Sequence, residues 1–308
     1  MTNIKSKKLN LAAKLVKTSG ILALILAVAL VLSASVGAVN FSPALVLKVV
    51  INHLFGWTGL HQFSVGQIDD HIIWQIHIPR MLLGALVGMS LAIAGTALQG
   101  LLLNPLADPY MIGVSSGAAV GAGVAVLLGL AAAFVPLFAF ISAILAVSVV
   151  YALARRGDNV SILSFVLAGV VVGSFTWAAL TFILTIAPNQ TLEKIVFWTM
   201  GSLAGSEPWS RVALLTPFTV LCSLLLYAFG RDLNVFALGE ESAKYLGLSV
   251  ESLKRIIIVI TTMLTAAAVS VSGTIGFIGL MVPHIARRIV GPDNRLLIPA
   301  AGLLGAIL

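Results

Sequence analysis

The chain has 308 residues, 59% of them hydrophobic and only 9% charged, with a net charge of +7 and a mean hydropathy of +1.09. A water-soluble core of this length could not hide so much apolar surface, so lipid must be the solvent for most of the chain. The sequence reads as all-α, a polytopic transmembrane helical bundle forming one domain over residues 1–308.

Residues 1–19 carry Lys5, Lys7, Lys8, Lys14 and Lys17 and no acid, and a first apolar span at 20–39 follows. That span is longer than a signal-peptide core and no clean A-x-A site closes it, so it is expected to remain as an uncleaved crossing. The loop up to residue 80 holds His53, His61, His71 and His77. Their spacing lacks the i, i+4 pairing that a helical metal site needs, and no metal ligand is assigned.

Further uncharged stretches lie at 81–103, 110–130, 133–154, 160–186, 212–229 and 256–272. An interrupted apolar segment at 274–289 and a last apolar run from 296 bring the candidate starts to nine. Asn104-Pro105 and Asp108-Pro109 end the second span, because proline drives the residue before it out of helical geometry. Gly84 and Gly88, then Gly113, Gly117 and Gly121, then Gly169 and Gly173 recur every fourth residue, which puts each set on one helix face for close packing. Cys222 stands alone in an apolar run, so it makes no intrachain disulfide and is read as packing.

If every span crosses once, all lysines and arginines except Lys48, Arg80, Lys194 and Arg211 fall on the side of the amino terminus, which is then cytoplasmic. The positive charge is thus a topology signal and gives no footing to a nucleic-acid partner. Every Asp and Glu falls in an expected loop, Asp158 and Asp293 included. An ion-coupled secondary transporter usually keeps a carboxylate near the midplane, so that alternative loses ground. There is also no G-x-x-x-x-G-K-[ST] phosphate loop, so the chain is no ATPase, and any energy for pumping comes from a partner.

Four stretches, in this order, resemble the hallmark segments of one family: PRMLLGALVGMSLAIAGTALQGLLLNPLADPYMIGVSSGAAVGA, FWTMGSLAG, LGEESAKYLG and SGTIGFIGLMVPHIARRIVGPDNR. The family is FecCD, the permease subunits of ABC importers for iron-siderophore complexes, haem and vitamin B12. The resemblance implies a subunit of about ten spans in a type II importer of the cytoplasmic membrane, paired with a second permease copy, two cytoplasmic ATPase subunits that hold ATP and magnesium, and an outer substrate-binding protein. It places an inner gate at Asn104 and Leu106. It makes LGEESAKYLG, within the cytoplasmic loop 231–255, the ATPase-coupling element, with Glu240, Glu241, Ala243, Lys244 and Gly247 as its residues. Charge of both signs between Gly239 and Gly247 fits one or two helical turns there.

The interrupted segment is implied to be a short helix beside the path, with Gly276 and Gly279 letting it leave the preceding span sharply. Pro283 forgoes a backbone hydrogen bond that lipid could not replace, so the segment is expected to be buried in protein. His284 is expected as a hydrogen-bonded structural residue, and Arg287 at the cytoplasmic boundary. An iron-siderophore or related metal chelate is the first cargo, with haem or vitamin B12 as the alternative.

Two features depart from the family pattern. Where relatives often carry a second arginine before the Pro-Arg pair, this chain has His77, so docking of the binding protein is expected to rest on Arg80 with His77 beside it. From Leu296 to Leu308 a helix at about 1.5 Å per residue covers about 20 Å, short of a hydrocarbon core of about 30 Å. The ninth span is therefore expected to be cut and a tenth to be missing.

Overall fold

The computed structural model describes residues 2–37, 39–56, 63–157, 159–205 and 207–308, with side chains from residue 13 onward. His61, Asp158 and the side chains of Lys5, Lys7 and Lys8 lie outside the described residues. Among the described residues, six helical runs are long and apolar enough to cross a membrane. They lie in α1 (Thr2–Ser35), in the run ending with α4 (Ile78–Leu101), and in α6 (Val135–Ala154), α7 (Ile162–Ile186), α9 (Pro208–Ala228) and α12 (Val250–Ser272). Shorter apolar helices are α2 (Pro43–Phe55), α5 (Val114–Leu127) and α14 (Asn294–Ile307).

Several expected boundaries move, each for a local reason. The span expected at 110–130 is α5, of only 14 residues. Pro109–Ile112 is used in a 3-10 turn, and Gly113 starts the helix from a left-handed backbone, φ 81°. The interrupted segment becomes helical at Ile278 rather than 274, as α13 (Ile278–Val290). Gly273 at φ 68° and Phe277 at φ 69° bracket the non-helical stretch. Ahead of α4, the short α3 (Gln67–Ile72) and a π-helical turn at Ile73–His77 continue the same rod back to Gln67. The 231–255 loop contains two short helices, α10 (Gly230–Phe236) and α11 (Glu240–Tyr245).

The core is built around α4, which contacts α9, α12, α13 and α14. Every residue from Ser90 to Gln99 is buried, as expected for a helix that is apolar and small-chained all round. Small residues let these neighbours come within backbone contact: a Cβ on Gly88 would overlap the carbonyl of Gly305 on α14, and one on Gly95 would overlap the carbonyl of Gly279 on α13. The Gly117 and Gly121 face of α5 meets α6 at Phe138 and Ser142 in the same way.

Side-chain contacts define two ends of the bundle. At one end Gly100 approaches Asn294, Asn234 donates to Asp293 (2.6 Å), Lys14 reaches the Val290 carbonyl (3.1 Å) and Lys254 reaches the Val160 carbonyl (2.7 Å). The Lys- and Arg-rich segments gather here, and it is called the basic side below. At the far side His77 meets Ala34, Trp209 donates to the Trp74 carbonyl (3.0 Å), and Arg211 caps α12 at the Val271 carbonyl (3.1 Å). A further short helix there, α8 (Asn189–Thr199), lies between α7 and α9 in the chain.

Candidate functional site

The turn after α4 is held by one polar side chain in an apolar helix. Gln99, buried, donates from Nε2 to the carbonyls of Ala107 (3.3 Å) and Leu280 (3.2 Å), and its Oε1 accepts from Arg287 (3.1 Å). One amide thereby joins α4, the Asn-Pro turn and α13. Within the turn the Asn104 side chain accepts from the Leu106 N–H (2.9 Å), and Leu103 sits at φ 50°, a conformation that costs a non-glycine residue energy. Asn104 is exposed and Leu106 is 66% exposed, so both project from the basic side.

Three of the quoted stretches meet where α12 ends. The Tyr110 hydroxyl donates to the Ile275 carbonyl (2.9 Å) and accepts from the Ile275 N–H (3.1 Å). Ser202 N–H donates to the Ser272 carbonyl (2.7 Å), and the Thr274 hydroxyl bonds the Thr199 carbonyl. Gly201 and Gly273 lie so close to the facing segment that a Cβ on Gly201 would overlap the Thr274 carbonyl and one on Gly273 the Trp198 carbonyl, and both have positive φ. A non-helical stretch at this depth needs its backbone groups paired by protein, and these bonds pair them.

Against this junction lies a groove of about 610 Å³ between α5, α7 and Thr274, lined by Ser115, Ser116, Ser174, Thr199 and Thr274 among small and apolar residues. Thr176 donates to Ser116 (2.7 Å), and Ser174 bonds back to the Val170 carbonyl of its own helix (2.9 Å). The wall therefore carries hydroxyls and glycines but no charge. Phe277, Gly276 and Met281 are exposed, whereas Gly279 packs against Leu91 of α4 and Pro109, and Pro283 is buried. His284, expected as a hydrogen-bonded residue, is exposed and makes no hydrogen bond among the described residues. It stands on the face of α13 turned away from α4.

On the basic side α11 presents an apolar knob: Tyr245 is 92% exposed and Leu246 65%. Ala243, on the opposite face, is fully buried. Glu240 pairs with Lys244 (3.2 Å) and Lys254 (3.1 Å), while Glu241 and Gly247 are exposed. Partial burial works against the Glu240 carboxylate, but the hydrogen bonds from Lys254 and Lys244 outweigh it and hold its pKa below the usual glutamate value.

On the far side His77 donates from Nδ1 to the Ala34 carbonyl (2.8 Å) and its ring fills the space over Gly37. Arg80 is exposed and shares with His77 a cavity of about 440 Å³ beside α1 and the end of α14. His53 bonds Asp70 (3.0 Å) and stacks on Trp74 at 4.1 Å. Among the described residues no three His, Cys, Asp or Glu side chains come together as metal ligands.

Sequence reasoning singled out neither Gln99, Tyr110 nor Lys254 as site residues. A lone amide in an otherwise apolar span was the available signal for Gln99, since such a group needs partners in lipid. Lys254 sits three residues after Glu251, a helical pair readable from the sequence.

A helical bundle with six runs long and apolar enough to cross a membrane, a broken helix and a hydroxyl-lined groove at the break defines a multi-pass membrane protein, and its relatives are permeases. The chain belongs to the FecCD transport family, whose pattern matches residues 25–308. It is 41% identical over 290 residues to the ABC transporter permease protein YvrB of Bacillus subtilis, covering 91% of this chain and 80% of that one. It is 42% identical over 245 residues to the cobalamin import system permease protein BtuC of Halobacterium salinarum, covering 79% of this chain and 66% of that one. A solved structure described as an inward-facing, metal-chelate type ABC transporter superposes with a TM-score of 0.83 at 29% identity, covering 94% of this chain and 87% of that one.

Proposed function

We propose that this ABC transporter permease is the membrane subunit of an ATP-driven importer that brings a metal chelate, a ferric siderophore first, across the cytoplasmic membrane. The observation that carries the reading is the uncharged, hydroxyl-lined groove at the helix break, which suits a bulky chelate whose charges are already satisfied by its own ligands. A structure of the metal-chelate type at 29% identity supports the same class. The basic side faces the cytoplasm, by the distribution of lysine and arginine. Asn104 and Leu106 form the inner gate, and α11, with its exposed Tyr245 and Leu246, enters a groove on a partner ATPase. A second copy of the chain completes the path, and a binding protein docks at the far side over Arg80 and His77.

A cobalamin cargo is the second reading, favoured by the 42% identity to a permease named for cobalamin import. Family folds host several cargoes, so the choice is decided at the binding protein and not by the groove. Titrating the partner binding protein with ferric siderophores, haemin and cyanocobalamin separates them, and submicromolar binding of cyanocobalamin alone would displace the siderophore reading. The purified permease alone should release no phosphate from ATP above a detergent blank, because the sequence has no phosphate loop.

A further inference from the structure

Lys254 is only 2% exposed, and a lysine is rarely buried to that degree unless its charge is matched. Three oxygens match it, each from a different element. The Val160 carbonyl, in the hairpin of β1 (Arg155–Arg156) and β2 (Asn159–Val160), lies 2.7 Å from Nζ, Glu240 Oε1 of α11 3.1 Å, and Glu251 Oε1, one turn away on the same α12 as Lys254, 2.7 Å. Two of the three ammonium donors are used in hydrogen bonds, to Val160 and Glu240, while Glu251 Oε1 lies at ion-pair distance without hydrogen-bond geometry. The contact to Glu251 is ionic in character, and Glu251 Oε2 is separately engaged by the Val160 N–H at 2.9 Å, which doubles the link between α12 and the hairpin.

What lies beyond each partner gives the cluster its meaning. Val160 is followed at once by Ser161, whose side chain caps the first turn of α7, so a displacement of the Val160 peptide enters α7 without an intervening loop. Helix α7 carries Gly173, Ser174 and Trp177 into the groove wall. Helix α12 runs from Lys254 to Ser272, whose carbonyl holds Ser202 at the junction below the helix break. Glu240 begins α11, the exposed helix. An ion cluster with a buried lysine and half-buried carboxylates adds little net stability, because desolvation of the lysine offsets the attraction, whereas losing a partner strands that buried charge. Its asset is a fixed relative geometry of the elements it joins.

We propose that Lys254, itself on α12, is the joint through which movement of α11 reaches α12 directly and, through Val160, reaches α7, which lines the groove. The proposal rests on the reading of α11 as the contact for a partner ATPase. Without Lys254, Glu251 loses its cation and Glu240 keeps only Lys244 of its own helix, so α11 separates from the hairpin and its motion is dissipated locally. Lys254 is a positioning residue and touches no substrate.

The test uses the full complex of permease and ATPase reconstituted in vesicles, with Leu106→Cys as a reporter and a membrane-impermeant maleimide as the probe, so that no cargo need be known. In this background ATP should change the labelling rate by roughly tenfold, the range of an ordinary coupling free energy. With Lys254→Met added, ATP should still be hydrolysed, but the labelling rate should no longer follow it. Lys254→Arg, which keeps the charge and the donors, should restore the response, as a merely space-filling role would not require.

Gate labelling that follows ATP normally in Lys254→Met would overturn the proposal while leaving the ATPase reading intact. A reporter background with native Lys254 that ignores ATP would overturn the ATPase reading and this joint with it. Should Lys254→Met fail to assemble, Glu240→Gln decides, since it keeps the shape and weakens the arm from α11 to Lys254. A diminished gate response per ATP supports the joint, and a normal one overturns it.

Discussion

The carbonyl oxygen of Gly279 points at the Cα of Gly95, so closely that no side chain fits at residue 95. The reason lies four residues further on. Pro283, inside α13, has no N–H to offer the Gly279 carbonyl, which a regular helix would have bonded at that position. The carbonyl is free to tilt out, and α4 accepts it only because residue 95 is glycine, a contact of the Cα–H to oxygen kind. Proline on one helix and glycine on the other are thus two halves of one crossing.

Gly95→Val should therefore disrupt the α4–α13 contact, since the obstacle is backbone and cannot rotate away. The expected cost is about 1–3 kcal/mol or more, the range for overpacking a tight core. Gly100→Ala, one turn nearer the basic side, is the control: its nearest neighbours would lie 3.6 Å away or further, ordinary van der Waals contact. Thermal inactivation of the detergent-solubilised protein should separate the two, with Gly100→Ala equal to or above the parent.

Tyr110→Phe keeps the ring and removes the hydroxyl that both donates to and accepts from Ile275. The Ile275 peptide is then left without its partner next to the helix break, which costs about 1–3 kcal/mol for unsatisfied groups away from water. The same variant should raise proteolytic or exchange sensitivity at Gly273–Phe277 before it affects α12. Unchanged exchange protection at those amides would remove the hydroxyl from the account of the break.

The sequence made the crossings and the breaks legible wherever the signal is local. Long apolar runs showed the spans, Asn-Pro and Asp-Pro showed the end of α4, and Gly239 and Gly247 bracketed α11. The helices α2 and α8 were not anticipated, for different reasons. Ser42-Pro43 is a legible helix start, with the Ser42 side chain accepting from the Leu45 N–H (3.2 Å), yet Lys48 leaves the apolar run that follows too short for a span. Helix α8 mixes Glu193 and Lys194 with apolar residues over 11 positions, too short for a span and too apolar for a loop. The bonds of Gln99 to Leu280 and Arg287 could not be foreseen, because they join residues nearly two hundred positions apart and depend on how α13 is folded back.

Asp293 links stability to pH at the basic side. Hydrogen bonds from Arg295, joined by Asn234, hold its pKa below the usual aspartate value, against a smaller opposing effect of burial. A depressed carboxylate stabilises the fold above its unfolded pKa, and that contribution is lost as pH falls through the folded value. Asp293→Asn keeps a competent helix cap and removes the charge. Because Arg295 is largely solvated, the variant should lose no more than about 1 kcal/mol at neutral pH. The difference between parent and variant should shrink toward zero below about pH 4. A difference that persists unchanged in acid would mean that shape, and not charge, accounts for Asp293.

Helix α11 gives the prediction in which local geometry and proposed mechanism are most directly joined. Gly247 lies at φ 84°, its N–H bonds the Lys244 carbonyl (2.9 Å) and the following N–H of Leu248 bonds that of Ala243 (3.0 Å). This is the left-handed closure that ends a helix and turns the chain sharply. A Cβ at Gly247 would meet no atom within 4 Å, so the chain itself leaves the space open and only the backbone angle resists a side chain. Gly247→Ala should then cost about 1–2 kcal/mol of local strain, with ATP-driven transport reduced in proportion. Gly247→Trp carries the same strain and adds bulk on the exposed surface beside Leu246. If that surface seats against an ATPase, the tryptophan variant should lose transport and stimulated hydrolysis entirely, while the alanine variant keeps a measurable share. Glu241→Lys, on an exposed side chain at the first turn of α11, should lose both activities without affecting insertion, since the helix start favours the acid by only about 0.3–1 kcal/mol. Uptake and ATPase rate are measured together in the assembled complex. Equal activity of the alanine and tryptophan variants would show that nothing docks at Gly247, and the ATPase contact would then have to be sought elsewhere on the basic side.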